Sequence, residues 1–223
     1  MTESTRPWQN RVARALLEIG AVAFTPQQPI TFQSGIRSPV YVDNRRLPFW
    51  PAQWGMVIEG FQGVIEAQAI VFDVIAGLEA AGIPHSAALA YRLKKPSVFV
   101  RKQAKAHGTR RRVEGGEVEG KRVLLVEDLV TTGGSSLAGV AALRGEGARV
   151  DDCLCITSYG FPEARQAFEA AGVRLHLLTP FTAIVAEAVR MGLLDPAGLA
   201  LLEAWRRDPH GWIGPVREAD GEP

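Results

Sequence analysis

The chain has little of what marks a secreted, membrane-spanning or nucleic-acid-binding protein. Its 223 residues include two cysteines, Cys153 and Cys155, and a strand would point both to one face, where they cannot bridge each other. The four histidines have no metal-ligand spacing, the formal net charge is +1, and no apolar run approaches a membrane span. We therefore expect a globular cytoplasmic protein with buried thiols and without nucleic-acid or membrane partners.

A glycine-rich turn is present, but it lacks the lysine that follows the glycines of nucleotide-triphosphatase loops. In residues 123–136 an apolar run leads to Glu127 and Asp128, then to a Thr/Gly/Ser turn and a helix-forming stretch. A strand that opens into backbone N–H groups at a helix N-terminus is a cradle for phosphate. Two carboxylates just outside the carboxyl end of the strand suit the vicinal hydroxyls of a ribose phosphate. The alternative is an ordinary strand–turn–helix connection.

Strands and helices alternate along the chain. Helical periodicity starts at Trp8, returns after Pro51 and recurs over 181–207, where we predict the C-terminal helices. Buried strands are predicted at five places: 69–75, 97–101, 122–127, 150–157 and 173–178. The alternation predicts an α/β fold with a mostly parallel central sheet flanked by helices.

A second set of candidate site residues runs from Arg101 to Gly108 and lies mostly in the polar segment 102–119, which we predict to be a long loop. Cations are dense here and repel one another, so the segment suits a loop that orders over a polyanion and closes a site. The alternative is a solvated basic loop or a weak RNA-binding strip.

The segment 123–136 closely resembles the phosphoribosyl-pyrophosphate (PRPP) motif of the type I phosphoribosyltransferases. The resemblance implies that Glu127 and Asp128 face the ribose hydroxyls and that the turn wraps the 5′-phosphate. The residues implied to bind PRPP in and beside this turn are Leu129, Val130, Thr131, Thr132, Gly133, Gly134 and Ser135. It also implies the type I fold as one domain over 1–223: an N-terminal helix and base-site hood (1–50), a core (51–180), and C-terminal helices and a tail (181–223). The Pro-, Gly- and acid-rich composition from Asp208 onward predicts that the tail frays.

The pattern Arg-Lys-x-x-Lys-x-His-Gly, which starts at Arg101, resembles the catalytic loop of the orotate phosphoribosyltransferases, which join orotate to PRPP in pyrimidine synthesis. By this resemblance the pyrophosphate is contacted by Arg101, Lys102, Lys105 and His107, which act in catalysis with Asp128. The resemblance also implies Mg²⁺ that arrives mainly with the substrate, Asp128 being a candidate ligand. It further implies a homodimer in which residues 101–117, here called the cationic loop, complete the neighbouring site.

Residues 34–45 resemble the base-site segment of that family, and 75–84 resemble its pyrophosphate-side loop. By resemblance, Thr131 contacts orotate. Tyr41 could stack on the ring, and Arg37 or Arg45 could meet the carboxylate in a forked pair. A core tyrosine and two structural arginines explain these three residues equally well.

One branch of the family has lysines where this chain has Gln33 and Ala81, and this chain resembles a second, bacterial branch that lacks them. The cationic loop is then the main source of positive charge for pyrophosphate. Asp73 is interpreted as the end of a strand, either supporting the pyrophosphate-side loop or capping a turn. No role beyond added charge is predicted for Arg110, Arg111 or Arg112.

Two other functions stay open from the sequence. A PRPP-sensing regulator that binds RNA or DNA would share the fold and the phosphate motif, although the near-neutral charge argues against it. A phosphoribosyltransferase for another base would differ only at the base site.

Overall fold

A computed structural model describes residues 7–26, 28–32, 34–103 and 111–214. The chain begins with helix α1 (Pro7–Glu18), which is followed by a hood of four short strands: β1 (Val22–Phe24), β2 (Ile30–Thr31), β3 (Arg37–Ser38) and β4 (Val40–Val42). In the hood β1 pairs with β4 and β2 pairs with β3, both antiparallel. A 3₁₀ helix over Asn44–Phe49 connects the hood to the rest of the chain.

The remaining elements alternate between helix and strand. They are α2 (Pro51–Ala67), β5 (Val74–Leu78), α3 (Gly82–Leu93), β6 (Ser97–Val100), β7 (Val113–Glu114), β8 (Arg122–Val130), α4 (Gly134–Gly145), β9 (Arg149–Ser158), α5 (Pro162–Ala170), β10 (Arg174–Leu177), α6 (Phe181–Arg190) and α7 (Pro196–Arg207). None of the helices in the described ranges has the length and apolar character needed to span a bilayer.

Six strands form the central sheet in the order β10-β9-β8-β5-β6-β7. All neighbours in it are parallel except β7, which runs antiparallel to β6 at the edge. The predicted α/β fold with a mostly parallel sheet is therefore confirmed. Because the strands are parallel, their carboxyl ends meet at one edge, where open sheets of this kind bind ligands.

Apolar clusters cover both faces of the sheet. Consecutive strand residues alternate between the faces, so Leu124 packs with α1, α2 and α6 while Leu125 packs with α4 and α5. Cys153 and Cys155 lie on the α4 and α5 side, fully buried and unbridged, as predicted. Burial on both faces explains why these strands read as continuous apolar runs.

The strand predicted at 69–75 is displaced in the structure, because β5 begins only at Val74. Ala69 has a φ of +47°, and Asp73 accepts the backbone N–H of Arg122 at 2.9 Å and its guanidinium at 2.8 Å. Asp73 therefore lies at the amino end of the sheet, and both roles predicted for it at the end of a strand are wrong.

One further boundary differs from the prediction, and the C-terminal helices are present as predicted. The predicted loop 102–119 contains strand β7, which pairs Val113 with Val100. The helical stretch 181–207 is two helices, because α7 starts afresh at Pro196 with the Asp195 carboxylate accepting the Gly198 N–H at 2.7 Å. That carboxylate satisfies an otherwise unpaired N–H of the first turn.

Candidate active site

The two predicted acids lie within strand β8. The strand continues to Val130, since β9 pairs with it as far as Ser158, so the prediction that Glu127 and Asp128 lie just outside the strand is wrong by three residues. Glu127 is 7% exposed and Asp128 is partly buried. Both acids nevertheless lie close to the carboxyl edge of the sheet, and the turn of residues 131–135 begins three residues after Asp128.

Two helix N-termini face the Glu127 carboxylate. The Ser136 hydroxyl, in the first turn of α4, donates to Glu127 Oε1 at 3.4 Å. On the other side, α3 begins at Gly82, where a Cβ would lie 2.5 Å from the Val126 carbonyl oxygen and 3.3 Å from Glu127 Oε2. Only glycine permits this approach of α3 to β8, and the first turns of two helices thus lie beside one carboxylate.

Burial shifts the titration of both acids upward. It raises the pKa of Glu127 to about 8, with a further contribution from the adjacent Asp128, and it raises the pKa of Asp128 to about 6. Both carboxylates would gain from hydroxyl donors or a cation that replaced the lost water. Lys102 and Arg45 already act in this direction, lowering the pKa of Glu127 and Asp128 respectively.

The donor chemistry fits a hard cation that arrives with a phosphate ligand. Among the described residues, no group of three His, Cys, Asp or Glu side chains could hold a metal ion. A Mg²⁺ ion commonly keeps several waters and takes one or two carboxylates plus substrate phosphates, a set that Asp128 and a pyrophosphate could supply.

We expect the Glu127→Gln variant to be more stable than the wild type in the absence of ligand, and increasingly so at higher pH. The folded-state pKa of about 8 lies above the ordinary value of 4.5, so the stabilisation from the neutral acid is complete below pH 4.5 and is lost as pH rises through 8. The amide stays neutral throughout. Thermal unfolding at pH 8.5 should show a Tm higher by roughly 5–10 °C, with little difference at pH 4.5. Glu203→Gln, at an exposed position, is the control, and equal Tm values at pH 8.5 would contradict the burial argument.

The phosphate turn, residues 131–135, has the geometry of an anion cradle. Gly133 has a φ of +89°, and a Cβ there would lie 3.2 Å from the Phe168 ring. Helix α4 starts immediately afterwards, and the backbones of Gly134 and Ser135 are exposed. A phosphate here would meet the free N–H groups of the first helical turn.

The structure describes only part of the cationic loop. Arg101 is held with its Nη1 3.6 Å from Glu114 Oε1, and Lys102 is exposed. The predicted site residues Lys105 and His107, together with Arg110, lie outside the described residues.

The three predicted base-site side chains all have partners. Arg45 donates from Nη2 to the Tyr41 hydroxyl at 2.7 Å and from Nε to Asp43 Oδ1 at 2.5 Å. Arg37 donates to the carbonyl oxygen of Ile213 at 2.6 Å. Each is exposed and retains further donors or ring surface, so the geometry accommodates both the orotate-binding and the structural interpretation.

Two contacts that hold the site together were not predicted from the sequence. Asn44, fully buried, donates from Nδ2 to the Asp128 carbonyl at 2.8 Å and ties the hood to the acid pair. Trp205 donates to the Arg37 carbonyl at 2.8 Å, and Ile213 binds the Arg37 side chain. The expected fraying from Asp208 is therefore wrong for 208–214, because this segment returns to the hood. Asn44 lies within residues 34–45, which the sequence analysis identified as a candidate base-site segment. By contrast, no local sequence pattern predicts that residues 208–214 contact the hood.

A cavity of about 820 Å³ lies elsewhere, between α5 and β10. Apolar side chains such as Phe168 and Leu175 line much of it, and Arg165 and Arg174 stand at its rim. Its lining includes neither of the two acids nor any residue of the phosphate turn, so we do not assign the substrates to it.

Comparison with known proteins agrees with this geometry. The family model described as "Phosphoribosyl transferase domain" matches residues 57–168, which contain both acids and the phosphate turn. The orotate phosphoribosyltransferase of Coxiella burnetii is 42% identical over 201 residues, covering 90% of this chain and 96% of the relative.

Solved structures show the same fold. The orotate phosphoribosyltransferase of Aeropyrum pernix superposes with a TM-score of 0.71 at 31% identity, covering 82% of this chain and 99% of that one. The Leishmania donovani UMP synthase gives a TM-score of 0.78 at 26% identity, and the match covers 89% of this chain but 42% of that longer protein. The predicted type I phosphoribosyltransferase fold is thereby confirmed.

Proposed function

The chain belongs to the orotate phosphoribosyltransferase family, and from that premise we propose how its residues carry out the reaction. The enzyme is a glycosyltransferase that moves the 5-phosphoribosyl group of PRPP to orotate, giving orotidine 5′-monophosphate and pyrophosphate in pyrimidine biosynthesis. The observation that carries the site assignment is the adjacent pair of a buried and a partly buried acid, Glu127 and Asp128, close before an open phosphate turn.

The reaction replaces one bond at C1′ of the ribose by another. The bond to pyrophosphate breaks and its electron pair leaves with the oxygen, while a ring nitrogen of orotate forms the new bond from the opposite face and releases its proton to the solvent. The phosphate turn holds the 5′-phosphate, and Glu127 and Asp128 hold the ribose hydroxyls. This positioning lowers the barrier by several kcal/mol on general grounds. Asp128, whose pKa of about 6 leaves it mostly ionised at neutral pH, also places negative charge near the cationic ribose of the transition state.

The leaving pyrophosphate needs positive charge around it. We assign this role to Arg101, Lys102, Lys105 and His107 of the cationic loop. When bound with pyrophosphate, Mg²⁺ would add positive charge on the same oxygens, with Asp128 as its protein ligand. For orotate we assign Thr131, three residues after Asp128, together with Tyr41, Arg37 and Arg45.

We further propose that the enzyme is a homodimer whose cationic loop reaches the partner's site. Exposed aromatic rings support an interface at the 3₁₀ helix, α2 and α3, since Phe49 is 82% exposed and Tyr91 is 89% exposed. Trp50 lies against Phe49 with ring centroids 5.7 Å apart. Large apolar groups exposed on a surface are typical of contacts between proteins.

A cytoplasmic location is also proposed. The free thiols of Cys153 and Cys155 support it, because unbridged cysteines are usual in reducing compartments.

A pyrophosphate-release assay tests the substrate assignment. PRPP and Mg²⁺ are offered with orotate, uracil, adenine or hypoxanthine in separate reactions, and we expect turnover with orotate alone that stops when the metal is chelated. Turnover with a different base would contradict the substrate. PRPP binding without turnover on any base would contradict the enzyme and favour a PRPP-sensing regulator.

A further inference from the structure

The two ends of the cationic loop meet at a neck formed by Arg101 and Arg112. Strand β6 ends one residue before Arg101 and β7 begins one residue after Arg112, and these strands pair in antiparallel fashion. The Arg101 N–H donates to the Arg112 carbonyl at 2.8 Å. The neck therefore fixes the two points at which the loop leaves β6 and enters β7.

One side chain joins this neck to the phosphate-binding helix. The Arg112 guanidinium donates from Nε to the Arg101 carbonyl at 2.8 Å and from Nη1 to the Ala138 carbonyl at 3.1 Å. Ala138 lies in the second turn of α4, the helix that begins at the phosphate turn. The Arg112 side chain thus connects the other residue of the neck, Arg101, to helix α4, whose N-terminal turn we assign to the 5′-phosphate.

The opposite side of the neck is attached to the pyrophosphate-side loop. Glu79, immediately after β5, accepts the Lys102 N–H with Oε2 at 2.8 Å, and its own N–H donates to the Val100 carbonyl at 2.9 Å. The loop base is consequently fixed on one side to the phosphate helix and on the other to the strand end beside the site.

We propose that Arg112 is a positioning residue, which holds the neck so that the loop cations meet the leaving pyrophosphate. The inference rests on the proposed function. It gives Arg112 a structural role in addition to the positive charge that it adds to the loop. A guanidinium suits this task because its planar set of donors can reach two carbonyl oxygens at once, whereas an ammonium is a single flexible point. Arg111 provides the contrast: it is exposed, and no side-chain bond is found for it in the described part of the chain.

The effect should fall on kcat more than on substrate binding. The acids and the phosphate turn hold PRPP before reaction, whereas the loop cations act on charge that develops as pyrophosphate leaves. Displacement of a charged group by about 1 Å can cost up to about 100-fold in rate. We therefore expect Arg112→Gln to lower kcat by about 10–100-fold while the PRPP dissociation constant changes less than about threefold.

The test compares Arg112→Gln with Arg111→Gln, which removes the same charge one residue away. Single-turnover rates are measured with saturating PRPP and orotate and divided by the concentration of sites that bind PRPP. A lower rate then reflects misplaced loop cations and not a smaller amount of folded protein. Amide hydrogen exchange at Arg101 and Lys102 reports the neck directly, and it should accelerate at least about tenfold in Arg112→Gln alone. Arg112→Lys should recover only part of the rate.

Equal rates and equal exchange in the two glutamine variants would overturn the proposal. A wild-type enzyme that binds PRPP without turnover would instead contradict the proposed function, and the exchange measurement would still decide whether Arg112 holds the neck.

Discussion

Replacing Asp128 by asparagine is expected to lower kcat by about 10²–10³-fold while leaving the fold intact. The substitution keeps the size of the side chain and removes the negative charge that we place beside the cationic ribose of the transition state. Because Asp128 is held in place partly through its backbone, where Asn44 donates to its carbonyl oxygen, the amide should occupy the same position. The lower kcat would then result from the loss of the negative charge and not from a displaced side chain.

Thermal unfolding distinguishes this loss of charge from damage to the fold. Burial raises the pKa of Asp128 to about 6, above its ordinary value of 3.8, so at pH 7.5 the ionised group costs the ligand-free protein stability. Asp128→Asn should therefore unfold at the same temperature as the wild type or higher. Asp151→Asn, which removes an exposed carboxylate at the start of β9, is the matched control and should keep wild-type kcat. A kcat within twofold of wild type in Asp128→Asn would remove this residue from the mechanism.

The sequence predicted the sheet well because burial on both faces leaves a strong local signal. The apolar run 123–126 could be read as a core strand, and Glu127, Asp128 and the glycine turn after it as a site, from residues that are contiguous in the chain. The ends of the strands were harder to predict. Strand β8 extends past the two acids because β9 continues to pair with it there. Extension of this kind depends on a partner strand that is more than 20 residues away in sequence.

The connections that hold the site were not predictable from local patterns. The Asn44 side chain meets a carbonyl 84 residues away, and the Trp205 indole meets one 168 residues away. Arg112 is one of three consecutive arginines in the sequence. It differs from Arg111 because its guanidinium reaches a carbonyl oxygen of α4, a contact that depends on how the chain folds. Side-chain bonds to backbone carbonyls leave no spacing signal, because any residue supplies the acceptor.

Replacing Lys105 by alanine is expected to lower kcat by about 10²–10³-fold with an unchanged Tm. The assigned partner of Lys105 is the pyrophosphate that leaves, so the ammonium contributes most when negative charge accumulates on that group. Gln103→Ala, at an exposed position in the same loop, is the control and should stay close to wild type. Turnover of Lys105→Ala equal to that of the control would exclude the cationic loop from the reaction.

The two inactive variants together test whether the loop crosses between subunits. In the proposed dimer, each site combines Asp128 of one subunit with Lys105 of its partner. A hybrid of a Lys105→Ala subunit and an Asp128→Asn subunit would then have one intact site, because the first supplies Asp128 and the second supplies the loop. The hybrid, purified through a different tag on each subunit, should recover about half of the wild-type rate per dimer. A loop that serves its own subunit would leave no intact site and only the residual rates of the single variants. Failure to recover any hybrid after co-expression would contradict the homodimer itself.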